Sequence, residues 1–170
     1  MSVHSLRIFR MAEEISDTLA VHADSWTPIH QDGLGRQIVA SADSICQHIR
    51  DGHDSKLLDD RLRFLRFAEQ AAIDTRNDVR RAHARLLFDE EQMTSLLRKL
   101  FGLSIAIVEF AYALMQREPE YAGDHRAWIE RRRAWRLSRR EAQALAEAEA
   151  GGEMEPDSSD REIETEATSA

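Results

Sequence analysis

The stretch LLRKLFGLSIAIVEFAYALM, residues 96–115, decides the fold of this chain. Its apolar side chains recur at the i, i+3, i+4, i+7 spacing of an α-helix, and they form two stripes instead of one. The first stripe contains Leu96, Leu100, Leu103, Ile107, Phe110 and Leu114, and the second contains Leu97, Phe101, Ile105, Val108, Tyr112 and Met115. A surface helix of a monomeric bundle needs only one such stripe. The second stripe therefore predicts a further contact.

Two partners could cover the second stripe. Another copy of the chain could pack on it, which makes the six residues of that stripe the predicted oligomer interface. Alternatively, a C-terminal helix folds back within one subunit, so that Trp128 and Trp135 cover the side chains from Phe101 to Tyr112. We favour packing between subunits, because the stripe is long.

The composition predicts an all-α protein. The chain has 170 residues, 7 glycines and 3 prolines, and it has few runs of β-branched or aromatic residues. Apolar periodicity predicts helices at about residues 5–22, 32–51, 55–86, 90–117 and 124–148. The first four, joined by short loops, predict an antiparallel up-down four-helix bundle. We expect three regions: a four-helix bundle over residues 1–118, an Arg-rich helical extension over residues 119–148, and a disordered acidic tail over residues 149–170.

Several residues mark where the predicted helices begin and end. Asp32 is the expected N-cap of the second helix, and Asp89 is that of the fourth. Gly52 ends the second helix in the way that a C′ glycine does. Leu86 falls on the buried face of the third helix.

Charge is distributed unevenly along the sequence. Residues 1–123 carry a net charge of −4, residues 124–145 one of +4, and residues 146–170 one of −8. The basic segment holds seven arginines and two tryptophans, which are Arg126, Arg131, Arg132, Arg133, Arg136, Arg139, Arg140, Trp128 and Trp135. Arginines neutralise phosphates and indoles stack on unpaired bases, so this segment is the candidate nucleic-acid-binding site. The alternative is a helix that is docked by its tryptophans, with its arginines solvated or paired to the acidic tail.

Other kinds of site find little support in the sequence. The single cysteine, Cys46, excludes an internal disulfide and a cysteine-based zinc site, and it fits a reducing cytoplasm. The seven histidines are scattered and form no HxxxH or ExxH pair, so we expect no metal and no cofactor. No catalytic residue is predicted, because no nucleophile, base and pocket come together. The N-terminus lacks the apolar core of a signal peptide, and no segment is long and apolar enough to span a membrane.

Three stretches resemble one family, and the third of them, the fourth helix, matches only in pattern. The segment DGLGRQIVASADSICQHIRDG, residues 32–52, resembles the second-helix motif of the 23S rRNA intervening-sequence proteins. The positions that match in register are Gly33-Leu34, Gln37-Ile38, Ala42, Ser44-Ile45, Ile49 and Gly52. The segment RLRFLRFAEQAAIDTRNDVRRAHARLLFDEEQ, residues 61–92, resembles the helix and acidic helix start that follow. Cys46 stands where the family motif has proline, and His48 stands where it has asparagine. The resemblance extends over about residues 5–117.

The resemblance implies a four-helix bundle that assembles as a ring-like homopentamer. The same fold is used by the accessory variability determinant of diversity-generating retroelements, which partners a reverse transcriptase and its RNA. We therefore expect a cytoplasmic, non-catalytic homo-oligomer that acts as a nucleic-acid-associated binding or assembly module. Two alternatives remain open, an accessory subunit of a retroelement reverse transcriptase and a purely protein-directed scaffold.

Overall fold

The computed structural model describes residues 2–152, with side chains described up to Ala144 and at Glu147. Over this range the chain is all-helical and no residue lies in a strand, which confirms the predicted fold class. The long helices are α1 (Arg7–Asp24), α2 (Arg36–Asp54), α3 (Leu58–Ala84), α4 (Glu90–Met115) and α5 (His125–Gly152). The chain divides into a unit that ends at Arg133 and a second unit that begins at Ala134, within α5. The predicted acidic tail lies outside the described residues from position 153 onward.

The first four helices pack in a closed cycle. Helix α1 packs against α2 and α4, and α3 packs against the same two helices. Each of these four helices contributes buried apolar side chains to the core. The largest fully buried side chains are Phe9, Ile15, Leu19, Ile38, Ile45, Ile49, Leu62, Leu65, Leu100, Leu103, Ile107 and Met115. The first stripe of α4 is confirmed as a core face, because all its members except the half-buried Phe110 are buried.

Helical backbone begins before the predicted start of α2. A single turn at Pro28–His30 leads into a π-helical segment, Gln31–Gly35, and this segment continues directly into α2. Proline suits a first helical position, because its φ angle is already helical and it has no N–H left without a partner. Asp32 lies inside this segment, where its carboxylate pairs with the Arg36 guanidinium at 2.8 Å. The prediction that Asp32 caps the helix is therefore wrong.

Gly52 has a different role from the predicted one. Helix α2 continues past it to Asp54, and no glycine among the described residues has a positive φ angle. Gly52 is buried, and a Cβ atom built on it would lie 3.3 Å from the Arg61 carbonyl oxygen and 3.3 Å from the Phe64 Cβ. The glycine allows α2 and α3 to approach each other closely instead of ending α2.

The end of α3 corrects the prediction for Leu86. This residue has a φ angle of 61° and is 90% exposed, so it lies outside the core face. The Leu87 N–H donates to the Ala82 carbonyl at 2.9 Å, which is the closing bond of a Schellman motif. Leu86 occupies the left-handed position that usually belongs to glycine. Phe88 is buried instead, with its ring edge-on to Trp26 at 5.4 Å.

The predicted cap of α4 is confirmed. The Asp89 side chain accepts a hydrogen bond from the Gln92 backbone N–H at 2.7 Å, and the Gln92 side chain accepts one from the Asp89 N–H at 3.0 Å. The two bonds form a capping box, which satisfies two N–H groups that would otherwise lack partners within the helix.

Replacing Leu86 with glycine should stabilise the protein. The left-handed conformation costs an L-residue about 1–2 kcal/mol, and glycine avoids this cost while adding about 0.5–1 kcal/mol of unfolded-state entropy. We expect L86G to raise the free energy of unfolding by about 0.5–1 kcal/mol, measured by urea denaturation. The control L86A removes the exposed side chain but keeps the strain, so it should give no gain. Equal stabilisation by both variants would contradict the explanation.

Candidate functional site

The first turns of α5 dock against the preceding helices. Trp128 is 5% exposed and Ile129 is fully buried. Both belong to the same continuous apolar cluster as Val108 and Met115 of α4. The docked turns thereby extend the core of the first unit.

A buried carboxylate anchors this docking. Glu69 of α3 is 6% exposed, and its two oxygens contact different groups of α5. The Trp128 indole N–H donates a hydrogen bond to Oε2 at 2.9 Å, and the Arg132 guanidinium forms an ion pair with Oε1, with its Nε atom at 2.7 Å. A buried carboxylate is costly unless its oxygens are bonded and its charge is balanced, and here both conditions are met. Glu69 therefore fixes the position of Trp128 and Arg132 together.

Arg133 forms a second contact between α5 and α4. Its Nε–H donates to the Glu109 carboxylate at 3.1 Å, and its guanidinium carbon lies 3.5 Å from the centroid of the Tyr112 ring. Burial alone would lower the pKa of Arg133, but the hydrogen bond and the charge of Glu109 outweigh it and raise that pKa. The guanidinium thus remains charged and covers the Tyr112 ring.

Arg126 closes the connection between α4 and α5. Its guanidinium donates to the Tyr121 carbonyl at 2.6 and 2.8 Å and to the Pro119 carbonyl at 3.2 Å. The Tyr121 hydroxyl in turn donates to Asp59, at the start of α3, at 2.6 Å. Burial and this hydrogen bond raise the pKa of Tyr121 to about 12. The connection is therefore tied to α3 by a neutral phenol over the whole physiological pH range.

The structure separates the predicted nucleic-acid-binding residues into two groups. Those engaged in docking or closing the connection are Arg126, Trp128, Arg132 and Arg133. Arg131, on the first unit, is exposed. In the second unit Trp135 is 47% exposed, Arg139 and Arg140 are exposed, and Arg136 is half-buried. The Arg139 guanidinium carbon lies 5.4 Å from the centroid of the Trp135 ring.

The second stripe of α4 is also divided. Val108 and Met115 are 6% and 1% exposed, so they belong to the core of the subunit. Leu97, Ile105 and Tyr112 are half-buried, and Arg133 covers Tyr112. Phe101 is 38% exposed and lies beneath the Arg76 guanidinium, at 5.6 Å. Folding back of the C-terminal helix thus accounts for part of this stripe within one subunit, although Trp135 remains largely exposed.

A family model of the 23S rRNA-intervening sequence protein matches residues 4–108. The chain belongs to this family. No curated protein matches the chain significantly. The matched region contains α1, α2, α3 and most of α4, and it ends before α5 begins. The docking helix is therefore an addition to the part of the chain that the intervening-sequence family defines.

A polar cluster within the family region escaped sequence reasoning. Asp78 of α3 is 4% exposed and accepts from Gln37 of α2 at 2.7 Å, from Ser41 at 3.2 Å and from Arg81 at 3.1 Å. Gln37 belongs to the motif that this chain shares with intervening-sequence proteins, and this is the sequence feature that could have indicated the cluster. The available signal for Glu69 was its place in the apolar stripe of α3, where a charged residue is unexpected.

The titratable side chains of the family region show no metal-binding geometry. Among residues 2–152, no group of three His, Cys, Asp or Glu side chains is placed to hold a metal ion. Burial, together with the charges of Glu13 and Asp43, raises the pKa of the half-buried Cys46 thiol to about 11. The thiol is therefore protonated, and a poor nucleophile, at neutral pH. None of the described helices combines the length and apolar character needed to cross a membrane.

Removing the Glu69 carboxylate should release the first turns of α5. In a W26F/W135F background, where Trp128 is the single remaining tryptophan, E69A should shift its fluorescence to longer wavelength, because the indole loses its acceptor and becomes solvated. We expect the free energy of unfolding to fall by about 2–3 kcal/mol, since hydrogen bonds to a buried charge are lost. The matched control is E130A, which removes a surface carboxylate on α5 that lies 3.5 Å from Arg126. This control should cost less than about 0.5 kcal/mol. Equal effects of the two variants would contradict the anchoring role of Glu69.

Proposed function

We propose that the protein is a non-catalytic homo-oligomer that acts as a nucleic-acid-associated binding or assembly module. The observation that carries this proposal is the exposed group Trp135, Arg139 and Arg140. An exposed indole with a guanidinium against its face suits stacking on an unpaired base beside a phosphate. Membership of a family named after an rRNA insertion supports RNA as the nucleic acid.

The subunit we propose is an antiparallel four-helix bundle with up-down topology. The closed cycle of packing among α1, α2, α3 and α4 supports it, since each helix contacts the two that flank it in such a bundle. The connections from α2 to α3 and from α3 to α4 are short, which favours antiparallel neighbours.

Assembly of the bundle into a ring-like pentamer is the second part of the proposal. It is supported by the part of the second stripe that α5 leaves accessible, which is Leu97, Phe101 and Ile105. Three apolar side chains in successive turns of one helix form a row that another copy could cover. Val108 and Met115 are left out of this surface, because they already lie in the core of the subunit.

Substitutions on α4 test the assembly. We expect multi-angle light scattering to give a mass of several subunits for the full chain, and I105D should reduce it to the monomer while helicity is retained. V108D is the matched control three residues away, and it should unfold the subunit because its side chain is buried. A monomeric wild-type chain at micromolar concentration would rule out the assembly. Unfolding by I105D would place Ile105 in the core instead.

A protein-directed scaffold is the second candidate function. The acidic balance of residues 1–123, with a net charge of −4, disfavours a general attraction to nucleic acid. In addition, Arg126, Arg132 and Arg133 are used for contacts within the chain. An accessory subunit of a reverse transcriptase combines both candidates, because it would contact a protein and its RNA.

Binding of single-stranded RNA discriminates between the candidates. We expect R139A/R140A to lower the slope of log affinity against log salt by roughly 1.4, at about 0.7 per phosphate contact. W135A should weaken binding roughly tenfold through lost stacking. The matched control R85A/R98A removes two exposed arginines elsewhere in the chain and should leave the salt slope unchanged. No RNA binding by the wild-type chain at low salt would favour the scaffold.

A further inference from the structure

Three arginines gather where α3 meets the docked turns of α5. Arg76 and Arg80 lie one turn apart on α3, and Glu69, about two turns before Arg76 on the same helix, forms an ion pair with Arg132 of α5. Arg80 and Arg132 are both close enough to act on the charge of Arg76. The Arg76 guanidinium lies over the Phe101 ring, which supports one of its faces.

Positive charge in this cluster exceeds the negative charge that balances it. Glu69 is the carboxylate that acts on Arg76, and its oxygens are already engaged by α5, one in a hydrogen bond from Trp128 and the other in an ion pair with Arg132. Across residues 2–152, no carboxylate forms an ion pair with Arg76 or Arg80. Burial first, and then the like charges of Arg80 and Arg132, lower the pKa of Arg76. The cluster is therefore electrostatically unfavourable when nothing is bound to it.

One donor in the cluster is also left without an acceptor. The Nε atom of Arg76 is buried and has no hydrogen-bond partner in the protein. Buried donors normally have partners, so this N–H marks the Arg76 guanidinium as incompletely satisfied within the protein. The terminal nitrogens of Arg132 remain available as well, because Glu69 is bonded to the Nε atom of that guanidinium.

We infer that Arg76, Arg80 and Arg132 form a binding site for a phosphate group. A tetrahedral dianion or a phosphodiester supplies negative charge and acceptor oxygens beyond the ones that Glu69 provides for Arg132 and Asn77 provides for Arg80. Docking of α5 completes the site, since Glu69 brings Arg132 to the two arginines of α3. Where the phosphate belongs to RNA, the inference rests on the proposed function and adds a second contact, on the first unit of the chain. The same three arginines would also bind a free compound that carries a phosphate group.

The variant R76A/R80A tests the site without disturbing the docking of α5. Pyrophosphate should raise the melting temperature of the wild-type chain and have little effect on the variant. Without ligand, the variant should melt at the same temperature as the wild type or higher, because like charges have been removed. A purely structural role predicts the opposite, a lower melting temperature. The matched control R63A/R66A removes two arginines from the same helix, one of which lies over Phe64 and pairs with Asp60 at 2.8 Å. This control should respond to pyrophosphate as the wild type does.

A parallel titration with single-stranded RNA identifies the source of the phosphate. If the RNA backbone occupies the site, R76A/R80A should lower the salt slope by roughly 1.4, whereas R63A/R66A should not. A lost pyrophosphate response with an unchanged RNA slope would assign the site to a free phosphate compound. If the wild type binds no RNA, the proposed function fails, and the pyrophosphate measurement still decides the site.

The inference is overturned if pyrophosphate stabilises all three proteins equally or stabilises none of them. Should R76A/R80A fail to fold, R76K/R80K replaces it, because lysine keeps the charge and loses the planar fork. A reduced pyrophosphate response of that variant supports the site, and an undiminished response contradicts it.

Discussion

The buried carboxylate of Glu69 is the interaction on which the docking of the first turns of α5 depends. Burying a single charge is unfavourable, and the arrangement is stable only because an indole N–H and a guanidinium bind its two oxygens. Both donors come from α5, so the helix and the carboxylate need each other. Loss of either leaves the other with an unsatisfied polar group at the surface of the core. The two contacts with Glu69 therefore fix which residues of α5 face α3, and they also stabilise the docking.

Docking also explains why the arginines of α5 cannot be treated as one surface. A run of basic residues in a sequence gives a net charge, but it does not distinguish a guanidinium that binds a carboxylate from one that faces solvent. In the first turns the arginines hold the helix against α3 and α4 and close the preceding connection. In the second unit Arg139 and Arg140 are exposed. The exposed arginines of α5 and the proposed cluster around Arg76 are therefore separate surfaces, and only the second includes a residue of the docked turns.

The parts of the fold that follow from local physics were predictable. Apolar spacing identified the core face of α4, and the residue type of Asp89 identified the N-cap of that helix, although the capping box with Gln92 was not predicted. The errors arose where tertiary contacts override local preference. Gly52 resembles a helix end in sequence, but it serves the close approach of α3. Leu86 fits the period of α3, yet it occupies the left-handed turn, because burial of Phe88 fixes the chain that follows.

The contacts of the candidate site also could not be predicted from the sequence, but for a different reason. Its arginines and tryptophans were all visible in the sequence, but their division depends on Glu69 and Glu109, which lie far from them along the chain. A carboxylate in an apolar stripe indicates that a partner exists without identifying it. The partner here is a helix beyond the region that the family shares, so the shared motif could not point to it either.

The remaining apolar surface of α4 connects the two proposed activities. Arg133 of α5 covers Tyr112, and Val108 and Met115 are buried in the same core as Trp128 and Ile129, so the proposed contact between copies is confined to residues 97–105 of α4. Phe101 lies in that half, and it also supports the guanidinium of Arg76. A second copy packed beside Phe101 would therefore border the phosphate site and restrict access to it from one side. Because a closed ring repeats each contact around its axis, such a site would recur at every subunit boundary. A polymeric phosphate ligand could then contact several subunits at once, and weak individual sites would suffice for tight binding.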